Sequence, residues 1–136
     1  MKNFVTSAVL IIIALASVSF AQTTAKTIKL NKEFTLSTKQ KAYVKSDKLT
    51  IEFVSVLEDS RCPTDVDCVW AGSAKVQIKV SKGKMAAQVF ELNTNLEPKT
   101  ITYQGYKIEI LDLNPAPKSD VDMKSAIYSA NFIVKK

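Results

Sequence analysis

The chain is 136 residues long, with 19 basic residues against 13 acidic ones, a formal charge of +6 and no histidine. Lack of histidine removes the side chain most often used as a general base near neutral pH and as a metal ligand. The lysines are spread along the whole length with no run and no interleaved stacking aromatics, so the sequence predicts a solvated basic surface and argues against nucleic acid as a partner.

The first residues, MKNFVTSAVLIIIALASVSFAQ, place Lys2 before an apolar run that ends in Ser19-Phe20-Ala21. This is the pattern of a secretory signal peptide over residues 1–21, cut after Ala21. The run is interrupted by Thr6, Ser7, Ser17 and Ser19, and so falls short of the roughly 20 apolar residues of a membrane span. No cysteine follows it to carry a lipid. The expectation is a periplasmic or secreted protein without a membrane span, its residues 22–136 forming one domain that buries about two-thirds of its unfolded surface.

Beyond the leader the apolar residues recur with period two, the spacing of strands half buried against a core. Ile28 to Leu30, Phe34 to Leu36 and Ala42 to Val44 are short candidates. Leu49-Thr50-Ile51-Glu52-Phe53 is a clear strand whose phase slips at Val54 and Val56, which predicts a β-bulge or a doubly covered strand end. Ala74 to Val80 is the cleanest alternation in the chain, followed by Ala87 to Leu92, Thr100 to Tyr103, Tyr106 to Ile110 and Tyr128 to Phe132. Turn-forming residues separate these segments, and Asp120 to Ile127 has room for one short helical turn. Strands at this spacing predict an all-β fold, a single antiparallel β-sandwich (Ig-like or jelly-roll-like) of about seven to nine strands.

Residues 59–72, DSRCPTDVDCVWAG, hold both cysteines, the single tryptophan and the single arginine of the chain. In an exported protein the two thiols are expected to form a Cys62–Cys68 disulfide. So short a loop makes the entropic stabilisation only about 2 kcal/mol. Cys68, Trp70, Gly72 and Ala74 share the parity of the core face of the next strand, so Trp70 is expected to plug the core beside the disulfide. Gly72 is expected where a side chain would strike the indole or where the strand bends.

The string Asp59-Ser60-Arg61-Cys62-Pro63, then Cys68, then Trp70-Ala71-Gly72, resembles a segment of a family of small exported bacterial proteins with no assigned biochemical role. The likeness is strongest over residues 58–74, weaker over Tyr106 to Pro117 and the Tyr128 strand. It implies a β-sandwich and carries no catalytic residue.

Function must then be sought on the charged rim of this loop, Glu58, Asp59, Arg61, Asp65 and Asp67. Three readings follow. The first is a non-catalytic binding or envelope-associated protein whose ligand, a protein or a small molecule, is unknown. The second is an inhibitor of an extracytoplasmic hydrolase, protease or lysozyme-like, offering Arg61 as a preorganised bait; its counter-reading has Arg61 forked onto Asp59 or Asp67. The third is a calcium module drawing on Asp59, Asp65 and Asp67, since hard cations want six to eight oxygens, although the spacing matches no EF-hand.

Other chemistry is poorly provided for, and no cofactor is expected. Thiolate metal binding would need soft or imidazole ligands, and after the leader only Met85 and Met123 remain as thioethers. The cysteine spacing is not that of a dithiol redox motif. A serine nucleophile would have no histidine base. An enzyme is therefore not expected.

Overall fold

The computed structural model describes Ser19 and residues 25–136; the rest of the expected leader lies outside the described residues. Among the described residues nine strands form two sheets: β1 (Lys26–Thr27), β2 (Glu33–Ser37), β3 (Lys41–Val44), β4 (Leu49–Asp59), β5 (Ala74–Lys82), β6 (Gln88–Asn93), β7 (Thr100–Tyr103), β8 (Tyr106–Asn114) and β9 (Ser129–Lys135). One sheet has the order β1-β3-β4-β5-β6, the other β2-β9-β8-β7. Every pairing is antiparallel except β1 with β3. The fold is the sandwich-like all-β architecture that the alternation predicts, and among the described residues no helix is long and apolar enough to cross a membrane.

Alternation does the packing. In β5 Ala74, Val76, Ile78 and Val80 are all fully buried while the residues between them face outward. Phe53 of the first sheet meets Phe132 of the second edge to face at 5.9 Å, and Phe34 lies 5.9 Å from the same ring. The Phe53–Phe132 contact ties the two sheets across the core, while Phe34 and Phe132 are cross-strand partners within the second sheet. The phase slip in β4 is a real irregularity, with register shifts between Phe53 and Ser55 and between Val56 and Glu58. The extra residues let an 11-residue strand bend along its 9-residue partner.

Smaller departures have local causes. The Ile28 to Leu30 candidate is not a strand: Ile28 is buried, and its N–H donates to the Tyr43 carbonyl just past β1. The short helical turn exists as a 3-10 turn at Met123–Ser125, the Lys124 N–H capped by the Asp122 carboxylate.

The pairings define two ends. Asp59 faces Ala74 at one end of β4 and Leu49 faces Lys82 at the other. The first is closed by the long connections 60–73, 94–99 and 115–128, and is called the loop end. The second, closed by short turns, is called the turn end.

Candidate binding site at the disulfide-braced loop

Beyond Asp59 and Ala74 the two chains keep pairing without strand geometry. Ser60 N–H donates to the Ser73 carbonyl at 3.0 Å and Cys62 N–H to the Ala71 carbonyl at 2.8 Å. The Cys62–Cys68 disulfide closes the outer part, with Cα atoms 5.9 Å apart. Neighbouring connections hold it from both sides. Asn95 Nδ2 donates to the Gly72 carbonyl at 2.7 Å. Thr64 N–H donates to the Pro117 carbonyl at 3.0 Å, and Asp65 accepts from the N–H and hydroxyl of Ser119.

At the root of the loop lies a polar knot. Arg61 forks onto Asp59, with Nε–Oδ1 and Nη2–Oδ2 both at 2.8 Å. It also donates to the Leu113 carbonyl at 2.6 Å and to the Pro115 carbonyl at 2.8 Å. The Tyr128 hydroxyl donates to Asp59 Oδ2 at 2.9 Å. The side chains of Arg61 and Asp59 are only 11% and 7% exposed. Burial pushes the Asp59 carboxyl up, but the hydrogen bonds from Arg61 and Tyr128 outweigh it and leave its pKa below the usual carboxylate value. Burial, then the Asp59 carboxylate, pushes Tyr128 up to about 12.

Four expectations are corrected by this geometry. Arg61 is neither extended nor presented to solvent, so it offers no bait to a trypsin-like pocket; the forked pair is the reading that holds. Asp59 is likewise part of the foundation and not of an outward rim. The carboxylates proposed for calcium go to separate partners: Asp59 to Arg61 and Tyr128, Asp65 to Ser119. Among the described residues no three potential ligands of the His, Cys, Asp and Glu types lie together. Glu58 points to solvent and lies 3.9 Å from Lys75.

The fourth correction concerns Trp70, which is 81% exposed and not a core plug. Parity does not carry from β5 back to Trp70 because Gly72 has φ +68°, a left-handed residue that reverses the alternation. Gly72 is required by the backbone and not by the indole: a Cβ there would stand 1.9 Å from the Ser60 carbonyl oxygen. Val69 is 94% exposed beside Trp70, and Leu96 on the adjoining connection 63%. A shallow groove of about 350 Å³ runs between Trp70 and Leu96, with Ala71 and Asn95 on its walls. Leu96 was missed in the sequence, where it reads as one apolar residue in a polar turn.

No family model matches the chain, and no curated protein or solved structure matches it.

Because the hydrogen bonds to Ser73, Ala71 and Pro117 hold the loop independently of the sulfurs, replacing both cysteines by serine should cost only about 2 kcal/mol. Far-UV circular dichroism of the double variant should retain the strand signal, and a global loss of strand would contradict it.

Proposed function

We propose that the protein is a non-catalytic, exported binding protein, acting in the periplasm or outside the cell, and that it recognises a protein partner through the tip of the braced loop around Trp70. The observation that carries this reading is the combination of exposure and bracing at that residue. A large aromatic left in water forgoes on the order of 3 kcal/mol of burial, yet Trp70 sits between the disulfide and Gly72, in a connection tied by that disulfide and by hydrogen bonds to both neighbouring connections. A rigidly held aromatic loses little entropy on binding, and tryptophan is enriched among residues that dominate interfaces. Val69 and Leu96 extend the apolar surface, and Asp65, Asp67 and Glu97 stand exposed in the same connections. Such a surface is complementary to a partner that carries an apolar anchor within basic surroundings. The leader, the disulfide and the likeness of residues 58–74 to small exported proteins support the setting.

Trp70 is the chain's one tryptophan, so its emission reports the site directly. In the isolated protein it should emit as a water-exposed indole and be quenched freely by acrylamide. Envelope fractions that contain the partner should shift the emission to the blue and protect it. Trp70→Ser should change stability by no more than about 0.5 kcal/mol, as at an ordinary surface position. An emission already protected in the isolated protein would return Trp70 to the core and sink the reading.

A further inference from the structure

At the turn end the fold gathers lysines that the chain keeps apart. Lys45 and Lys48 lie in the β3–β4 turn and Lys82 and Lys84 flank Gly83; the two turns are joined where Gly83 N–H donates to the Lys48 carbonyl at 2.9 Å. From the second sheet Lys136 reaches Asp47 at 3.2 Å. Lys82 and Lys136 both stand over the Tyr106 ring, 5.1 and 5.5 Å from its centre. Lys107 and Lys135 are cross-strand partners, an arrangement that mutual repulsion disfavours.

Neutralisation at this end is local and incomplete. Asp47 accepts from Ser46, Tyr106 and Lys136, and these bonds, that of Ser46 foremost, hold its pKa down at about 2. Glu109 lies 3.9 Å from Lys135. Among the described residues Lys45, Lys48, Lys84 and Lys107 are exposed and have no carboxylate within ion-pair distance. The β5–β6 turn that carries Lys84 also exposes Met85, 50% open to solvent and followed by Ala86 and Ala87.

We propose that the turn end is a peripheral docking surface for an anionic lipid bilayer, with the lysines on the headgroups and Met85 entering the interface. Each lysine near such a surface contributes about 1 kcal/mol, and an apolar side chain set among lysines suits a charged plane laid over hydrocarbon. Nucleic acid is the poorer match. The turns at this end contain no aromatic residue, Tyr106 is buried beneath two ammonium groups, and the nearby Tyr43 of β3 is only half-exposed, so no fully open ring stands there for base stacking. Docked this way, the protein would hold Trp70 roughly 30 Å from the bilayer, the length of β4. This inference stands apart from the Trp70 reading, and either can fail without the other.

The test is co-sedimentation of the protein, recovered from the export compartment, with vesicles of phosphatidylglycerol and phosphatidylcholine or of phosphatidylcholine alone. Binding is expected only to the anionic vesicles and should weaken as salt is raised. The triple variant Lys45→Gln, Lys48→Gln, Lys84→Gln should bind roughly a hundredfold more weakly. Lys99→Gln, Lys118→Gln, Lys124→Gln, of equal net charge but altered at the loop end, should bind like wild type. Met85→Ser should weaken binding severalfold. Circular dichroism and melting confirm that each variant is folded. Failure to bind anionic vesicles, or equal losses in the two triple variants, would overturn the proposal. So would binding to a mixed-sequence DNA duplex as tightly as to the vesicles with no dependence on Met85, which would assign the surface to polyanions in general.

Discussion

Gly72→Ala is expected to destabilise the protein by about 3 kcal/mol or more and to loosen the whole 60–73 connection. The new Cβ would stand 1.9 Å from the Ser60 carbonyl oxygen, 2.8 Å from its carbon and 2.9 Å from Arg61 Cα. All three are backbone atoms, so no side-chain rotation relieves the contact. A left-handed conformation adds about 1 kcal/mol of strain for a residue with a Cβ. The loop can make room only by separating the chains that pair through Ser60–Ser73 and Cys62–Ala71, at about 1 kcal/mol for each hydrogen bond lost. In a domain of this size the midpoint of thermal unfolding should fall by about 10 °C or more. Gly83→Ala is the control: φ is also positive there, at +54°, but nothing lies within 4 Å of the added carbon, so only the strain of about 1 kcal/mol remains. Equal effects at the two glycines would show that close approach at Gly72 is not what orders the loop.

Arg61→Ala should cost about 3 kcal/mol, because it strands a nearly buried carboxylate and two carbonyls at once. Arg61→Lys should recover only part of this, since an ammonium cannot fork onto both Asp59 oxygens while also reaching the Leu113 and Pro115 carbonyls. The pH dependence separates this role from simple packing. Asp59 has a lowered pKa in the folded wild type, so its contribution is present above the ordinary carboxylate pKa and is lost as pH falls through the lowered one. In Arg61→Ala the carboxylate is buried without its cation, and protonation relieves it. The stability gap between wild type and variant should therefore be widest near neutral pH and narrow as the medium is acidified. At the other extreme Tyr128, raised from 10.0 to about 12, favours the fold while neutral. That contribution is complete below pH 10 and disappears as pH rises through about 12. Urea titrations across pH would show both limbs, and a gap that stays constant into acid would contradict the role given to Asp59.

What could be read from the sequence was what depends on near neighbours. Period two in Ala74 to Val80 located β5 because each side chain there meets a core or a solvent face in turn. The phase slip at Val54 and Val56 located the bulges in β4 for the same reason. The disulfide was legible because two cysteines in a chain whose first residues read as a secretory leader have few alternatives. Trp70 was misplaced because parity was carried through Gly72, where the backbone is left-handed. The Arg61–Asp59 fork was legible as one of two local alternatives, but the rest of the polar knot was not, because Arg61 finds Leu113 and Pro115 more than 50 residues away and Asp59 finds Tyr128 69 residues away. The lysines look scattered along the chain because the turns that bring them together belong to different hairpins. In each case the missing information was which strands lie side by side.

If the braced loop serves to present Trp70, capture of a partner from the protein's own envelope extract should separate immobilised wild type from Trp70→Ser. With both proteins melting at the same temperature, a partner should be retained by wild type, released by free wild-type protein in competition, and lost from Trp70→Ser. Equal retention of that partner by the folded Trp70→Ser variant would contradict it.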